Sequence, residues 1–412
     1  MTFSDFISQH ENDDPVRLLL ARDKYPGIDM DLAATTLEVR KKLKTKVPEW
    51  YAVPSLVYPF RLSGEQCSSS ETARYKAEVI RRLSELGEGS YKLADLTGGM
   101  GVDSWAFAQV AREVLYNEMN GELARSTQLN FRELGIENVR FRNCFVEPGK
   151  VGEVLDGFEP DVIFLDPARR AEDGRKVFLI EECQPDVLGL LPELFGASRY
   201  VLSKLSPMAD ITMACRRLGE HVREVHVVAA GGECKELLFL LDREWLGGYS
   251  TVVVEGGAVM EIPGQAGNDV RMAGNDVRMG MPRPGDVLFE PGKALAKAGA
   301  FNLPCARFGL TKLGHHTHLY AGPAVPEGLV PFGKIFDIVE VLPLSNRTVK
   351  EAGKRWPQAE VTARNVPMTS DVLRKKLGCA SGGDVHLFGV RVDAPGEAGN
   401  YLIATKKRYG TD

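Results

Sequence analysis

The sequence predicts an α/β protein: a parallel sheet of repeated strand–helix units, preceded by a helical region and followed by a smaller α+β part. Three observations predict it. The first 85 residues carry apolar side chains at helical spacing and almost no strand pattern. From 92 to 242, short apolar runs alternate with amphipathic helical stretches, the pattern of a parallel sheet. The last two runs, VREVHVVAA (222–230) and CKELLFLLD (234–242), follow each other almost directly, so one strand must run antiparallel.

In order, helices are expected at DPVRLLLARDKY (14–25), DMDLAATTLEVRKKL (29–43) and SSSETARYKAEVIRRLSEL (68–86), the last capped by Ser70 and Thr72. KLADLT (92–97) is a strand that stops at a glycine loop, and DSWAFAQVA (103–111) is a helix. EVLYNE (113–118) is a strand, ELARSTQLNFREL (122–134) a helix and NVRFRN (138–143) a strand. DVIFLD (161–166) is a strongly apolar strand, followed by one long helix at FLIEECQPDVLGLLPELF (178–195). RYVLSK (199–204) is a strand and DITMACRRL (210–218) a helix before the final hairpin. AGNDVRM occurs at 266–272 and again at 273–279; two short copies between Pro/Gly-rich flanks suit a flexible surface insertion.

Beyond it, DVLFEPGKALAKAGAFN (286–302) reads as strand then helix, and GLTKLGHHTHLYAG (309–322) as loop and strand. FGKIFDIVEVLPL (332–344) and AEVTARNVP (359–367) are strands around the helix NRTVKEAGKRW (346–356). SDVLRKKLG (370–378) is a helix capped by Ser370, and two strands close the chain. The expected organisation is therefore a helical domain (1–85), the parallel-sheet domain (86–262), the insertion (263–285) and two α+β segments (286–330 and 331–412).

Net charge is −5 over 412 residues, so affinity for a polyanion has to come from local patches. The chain's last part, 340–412, holds 12 Lys+Arg against 8 Asp+Glu, with basic runs at Arg374-Lys375-Lys376 and Lys406-Lys407-Arg408. A third run is Arg40-Lys41-Lys42. Seven cysteines form no C-x-x-C pair, which fits a reducing cytoplasm. The first residues, MTFSDFISQHENDDP, are polar and acidic, and no run approaches eighteen apolar residues, so neither signal peptide nor membrane span is expected. His315-His316-Thr317-His318 reads as a polar loop, and no metal is expected.

Three loops carry chemistry. Asp95-Leu96-Thr97-Gly98-Gly99-Met100-Gly101-Val102-Asp103 ends the first strand and opens a helix; its glycines let a ligand approach the backbone, and Asp95 suits a ligand ammonium. A dinucleotide loop would place glycine where Ser104 stands. Glu118 ends the second strand, where an acid takes ribose hydroxyls. Asp166-Pro167-Ala168-Arg169-Arg170 ends the fourth apolar run at the sheet's carboxyl edge; Asp166 and the Pro167 carbonyl can accept hydrogen bonds from a target amine, and Arg169 can hold a phosphate. Lys204, Glu233 and Lys235 fall near the same edge.

DLTGGMGVDS, VLYNE and IFLDPARR resemble motifs I, II and IV of class I methyltransferases. SGEQCSSSETARYKAE (63–78), LSKLSPMADIT (202–212) and GGECKELLFL (231–240) are similar to blocks of the bacterial members with a THUMP-like C-terminal domain, as are FEPGKALAKAGAFN and ARNVPMTSDVLRKKLGCASGGDVHLF. The resemblance implies a Rossmann-like domain that binds S-adenosylmethionine through Asp95, Thr97, Gly98, Gly99, Gly101, Asp103, Glu118 and Asn143, with Asp166, Pro167 and Arg169 catalytic. It implies RNA, tRNA or rRNA, as substrate, and ferredoxin-like (286–330) and THUMP-like (331–412) segments. Cysteine is absent after Asp166-Pro167, and Ser203-Lys204-Leu205-Ser206-Pro207 holds none, so a base nitrogen is favoured as target over pyrimidine C5, for which Cys234 in GGECKE is the one remaining candidate. An inactive RNA-binding protein on this fold and a methyltransferase of a non-RNA substrate are the alternatives, and the oligomeric state is left open.

Overall fold

The computed structural model describes residues 1–83, 87, 89–169, 180–263 and 277–408. The chain divides into two units, residues 1–225 with 236–248 and residues 226–235 with 249–412.

The first unit opens with helices α1 (Phe3–Gln9), α2 (Pro15–Leu20), α3 (Met30–Lys46), α4 (Pro48–Tyr51), α5 (Arg61–Gln66) and α6 (Ser70–Arg81). Asp14 and Asp29 cap α2 and α3 by accepting from first-turn amides. The cap of α6 is Ser69, not Ser70. Ser69 and Thr72 accept from each other's backbone amides, and the displaced Ser70 hydroxyl bonds Glu49 at 2.5 Å. These helices pack on the helices Val102–Ala108 and Gly121–Glu133 that follow. Trp50 is fully buried edge-on to Trp105 and Phe131, and the Asn130 amide bonds both the N–H and the C=O of Val57.

Strands and helices then alternate: β1 (Lys92–Asp95), α7 (Val102–Ala108), β2 (Glu113–Asn117), α8 (Gly121–Glu133), β3 (Val139–Arg142), α9 (Val151–Leu155) and β4 (Val162–Leu165). Two-residue strands β5 (Ala168–Arg169) and β6 (Cys183–Gln184) precede α10 (Val187–Ala197), β7 (Tyr200–Leu205), α11 (Ile211–Leu218), β8 (Val222–Ala230) and β9 (Glu233–Asp242). The sheet order is β3-β2-β1-β4-β7-β9-β8. The first five of these pair in parallel, and β9 enters between β7 and β8 antiparallel to β7. All four residues of β4 are buried, as a strand covered on both faces must be. Because β9 runs the other way, its first residues lie at the edge where β1, β4 and β7 end: Leu205 pairs with Leu237, and Glu236 comes just before it.

The expected helix 178–195 is shorter. Pro185 holds Gln184 in an extended conformation and cannot donate into a helix, so Cys183–Gln184 pairs with Ala168–Arg169 and α10 starts only after its cap Asp186. Apolar periodicity runs across this break without marking it.

In the second unit, β10 (Ser250–Glu255) and β11 (Ala258–Ile262) form a hairpin beside residues 226–230 of β8. Gly256 and Gly257 take φ of +53° and +82°, the left-handed turn that suits a two-residue hairpin. These two strands lie outside the repeating strand–helix pattern of the sequence. A separate seven-stranded sheet comprises β12 (Val287–Pro291), β13 (Thr311–Lys312), β14 (Tyr320–Gly322), β15 (Gly333–Pro343), β16 (Glu360–Arg364), β17 (Val385–Val392) and β18 (Gly399–Lys407), in the order β13-β14-β12-β15-β18-β17-β16. Residues 286–330 and 331–412 both contribute strands to it, and β12 pairs with β15 along the whole length of β12.

Among the described residues four α-helices accompany this sheet: α12 (Lys293–Lys297), α13 (Leu303–Ala306), α14 (Asn346–Arg355) and α15 (Ser370–Leu377). Thr369, not Ser370, caps α15; the Ser370 hydroxyl accepts the Ala363 amide instead. Of the expected insertion, residues 264–276 lie outside the described residues. Residues 277–285 are packed rather than loose: Met279 bridges Lys312, Gly280 donates to the Lys312 carbonyl, and Met281 lies against the core.

Gly353 of α14 faces the end of α15 so closely that a Cβ would sit 1.7 Å from the Leu377 carbonyl oxygen. Gly353→Ala is therefore expected to destabilise the second unit by about 1–3 kcal/mol. Urea unfolding measures it, and an unchanged midpoint would show that the two helices do not touch.

Candidate active site

Asp95 ends β1 and is fully buried. Its two oxygens accept from the Thr97 amide at 3.1 Å and the Ser104 hydroxyl at 2.5 Å. Burial pushes its carboxyl up to about 8; the Ser104 and Thr97 hydrogen bonds pull the other way, and nearby Asp103 and Asp166 add to the rise. The residue expected to meet a ligand ammonium thus shapes the loop from beneath.

Two glycines of that loop are dictated by close packing. A Cβ on Gly98 would lie 2.2 Å from the Tyr116 ring. Gly101, at φ +91°, precedes α7, and a Cβ there would lie 2.6 Å from Thr127. Gly99 differs: at φ +53° its Cβ direction meets nothing nearer than a carbonyl at 4.0 Å, so its backbone is open to approach. The Tyr116 hydroxyl holds the Gly99 carbonyl at 2.5 Å.

Glu118, just past β2, accepts from the Gly99 amide at 3.0 Å and the Asn120 amide at 2.8 Å. The Asn143 side chain donates to the carbonyls of Glu118 at 2.6 Å and Met119 at 3.0 Å. Met119 and Phe145, 61% and 41% exposed, present apolar surface beside them. Asn117, not singled out from sequence, is buried and bonds the Leu96 carbonyl and both backbone groups of Cys144, fixing the chain after β1 to the chain after β3. Its signal is a polar residue ending an apolar run.

The Asp166 amide donates to the Thr97 hydroxyl at 2.6 Å, which joins the glycine loop to the turn after β4. The Asp166 carboxylate pairs with Lys204 of β7. Pro167 is buried, Arg169 lies in β5, and Arg170 lies outside the described residues.

Behind this pair lies a second one. Lys76 of α6 is completely buried and donates to both Glu236 oxygens at 2.8 Å and to the Ser68 hydroxyl at 3.1 Å. Its ammonium also pairs with Asp103 at 3.2 Å. Asp103 accepts from the Ser68 hydroxyl at 2.8 Å and closes this network. Burial opposes the Lys204 charge, but Asp166, Glu236 and Asp103 outweigh it and hold the lysine above its ordinary value. Burial pushes Glu236 up while Lys76 and Lys204 pull it back.

Lys76 and Glu236 were missed from sequence. The available signals were a lysine on the buried stripe of α6, among Ala73, Ala77 and Ile80, and an acid directly before the apolar run of β9. Glu233 and Lys235, grouped with Lys204 from sequence, pair with each other at 2.8 Å. In the second unit His318 stacks on Phe301 at 3.8 Å, and burial pushes its pKa down to about 4. Among the described residues no group of three or more His, Cys, Asp or Glu side chains is placed to hold a metal, and no helix is long and apolar enough to cross a membrane.

Comparison with known proteins adds three findings. Residues 288–327 match a ferredoxin-like domain family and residues 333–407 a THUMP domain-like family. The crystal structure of a Porphyromonas gingivalis W83 protein, provisionally assigned as a methyltransferase, superposes with a TM-score of 0.82 at 30% identity, covering 98% of this chain and 97% of that one. Proteins of Enterococcus faecalis and Listeria monocytogenes, both named uncharacterized RNA methyltransferases, are 31% identical over 98 residues and 33% over 113, or 24% and 26% of this chain. The chain matches about a fifth of the length of these curated relatives, 21% and 23%.

Asp95 sets a pH dependence. Its folded value of about 8 lies above the ordinary 3.8, so the folded chain keeps a proton that the unfolded chain releases. Stability attached to this group is full below the unfolded value and is lost as pH rises through the folded one. In Asp95→Asn that loss disappears. The melting temperature of the variant minus that of the parent is expected to rise between about pH 5.5 and about pH 8.5. A flat difference across this window would mean that Asp95 is ionised throughout.

Proposed function

This chain belongs to the class I methyltransferases that carry a C-terminal THUMP-like domain, and from that premise we propose that it transfers the methyl group of S-adenosylmethionine to RNA, a tRNA or an rRNA. The observation that carries this is the convergence of the open Gly99 backbone, Glu118 and the Asp166–Lys204 pair at one carboxyl edge of the sheet. Open α/β sheets bind ligands at that edge.

The residues present fit the cofactor. Glu118 keeps oxygen lone pairs beyond its two amide bonds and would take the ribose hydroxyls. Met119 and Phe145 would cover a purine, and Asn143 is bonded to the Met119 carbonyl. Gly99 lets the amino-acid end lie against the loop. When bound, the cofactor supplies an activated methyl on a sulfonium. The protein's task is then to hold the acceptor in line and to exclude water, since transfer is a single displacement.

RNA is supported by the THUMP domain-like segment and by the names of the curated relatives. It is supported further by exposed bases in that segment: Lys375 and Lys376 project from the last turn of α15, and Lys354 and Arg355 end α14. Such a surface binds phosphate through released counterions.

The test uses labelled S-adenosylmethionine and RNA from a strain lacking this gene; label in a tRNA or rRNA fraction is expected, and none in any RNA would overturn the proposal. Glu118→Ala is expected to weaken cofactor binding at least about tenfold by calorimetry, the equivalent of about 1.4 kcal/mol. Unchanged affinity would remove Glu118 from the site. The double variant Lys375→Glu, Lys376→Glu is expected to leave cofactor binding intact, weaken RNA binding and flatten its salt dependence by about one phosphate contact or more. An unchanged salt slope would place the RNA elsewhere.

A further inference from the structure

We propose that the acceptor is a ribose 2′-hydroxyl oxygen rather than a base nitrogen, with Lys204 and Asp166 as the catalytic pair and Lys76 and Glu236 as the residues that position them. This rests on reading the chain as an RNA methyltransferase, and it changes the target atom expected from sequence.

Four elements bring four charged groups to one place. Asp166 follows β4, Lys204 is the penultimate residue of β7, Glu236 is near the start of the reversed strand β9, and Lys76 comes from α6. The carboxylates and ammoniums alternate. Asp166 holds Lys204; Glu236 acts on Lys204 and holds Lys76; Asp103 closes the row behind. The outer pair opens to the surface, with Asp166 34% and Lys204 14% exposed, whereas the Lys76 side chain is 0% and that of Glu236 3% exposed. A substrate therefore meets one carboxylate and one ammonium together.

That pair discriminates between acceptors. An ammonium has three donors and no acceptor, so it has nothing to offer the N–H groups of an exocyclic amine. Nitrogen gains positive charge as it is methylated, and a neighbouring ammonium opposes this. An ammonium bonded to a ring nitrogen occupies the lone pair that must attack. A hydroxyl fits every role: its proton points to Asp166, one lone pair accepts from Lys204, and the other attacks. The negative charge that builds on oxygen as its proton leaves is stabilised by Lys204, which stays charged because three carboxylates face it. RNA carries such a hydroxyl on each ribose.

The step balances within the site. As an O2′ lone pair forms the new O–CH3 bond, the S–CH3 bond breaks and its electron pair remains on sulfur. The hydroxyl proton passes to the Asp166 carboxylate and from there to water. Lys204 exchanges no proton; Lys76 and Glu236 act only through it.

The test is the identity of the product. The full-length protein methylates RNA from the deletion strain with labelled cofactor, and the RNA is digested in alkali or enzymatically to nucleosides. A 2′-O-methyl group blocks cleavage of its own phosphodiester, so label is expected in alkali-resistant dinucleotides and in 2′-O-methylnucleosides. Label in base-methylated mononucleotides overturns this proposal and leaves RNA methyltransfer standing. No label in RNA, with cofactor binding intact by calorimetry, overturns both. In parallel, Lys204→Met is expected to lower kcat by about 10²–10³-fold at unchanged cofactor affinity, with partial recovery in Lys204→Arg. A Lys204→Met enzyme that keeps its kcat removes Lys204 from the chemistry. For Lys76→Met and Glu236→Gln the loss is expected in kcat with KM for RNA unchanged; an equal rise in KM would mean that they shape the binding surface instead.

Discussion

Much of the first unit depends on one buried ammonium. Lys76 has no contact with water, and an unpaired charge in that position would cost several kcal/mol. The chain meets this with two carboxylates and a hydroxyl drawn from three other segments: Glu236 of β9, Asp103 of α7 and Ser68 before α6. Each partner is useful only if its own element sits in register. The helical region, the glycine-loop helix and the antiparallel strand are thereby held to one arrangement. Apolar packing of α6 on α7 permits small slips; a bidentate ion pair does not.

The same network sets the charge that the site offers a ligand. Asp103, Asp166 and Glu236 are formally three negative groups against the two positive groups Lys76 and Lys204. Asp95, with its carboxyl near 8, keeps its proton at neutral pH and adds little. Glu118 stands at the same edge, so the carboxylates there outnumber the ammoniums among the described residues.

What was legible in the sequence is what is local. Runs of four to six apolar residues between glycine loops revealed the strands, because strands covered on both faces need continuous hydrophobicity. Gly98, Gly99 and Gly101 marked the loop, since tight turns leave a compositional trace. The cap of α6 was missed by one residue because three consecutive serines offer the same chemistry, and only geometry chooses Ser69. The hairpin at 250–262 was signalled by paired glycines between apolar runs but fell outside the repeating strand–helix pattern. Lys76 and Glu236 are 160 residues apart, and no local pattern connects them. Asp95 was legible as important and not as buried, because the Ser104 and Thr97 contacts that turn it inward exist only once the loop closes.

The direction of one strand links this topology to chemistry. The carboxyl edge of a parallel sheet collects residues from strand ends, so Asp95, Asp166 and Lys204 arrive there by the same rule. A further parallel strand would deliver another terminal residue and bury its first residues at the far edge. β9 reverses that: a ten-residue antiparallel strand brings its beginning, Glu236, to the same edge, next to a β7 residue whose charge it supports. The reversal also places β9 between β7 and β8, where both neighbours cover it, so the acid is screened from solvent and its effect on Lys204 is not diluted. A strand at the sheet's open border would leave the same glutamate hydrated and weakly coupled. The antiparallel strand therefore ends the sheet and also sets a carboxylate beside Lys204, where it helps to keep that lysine charged.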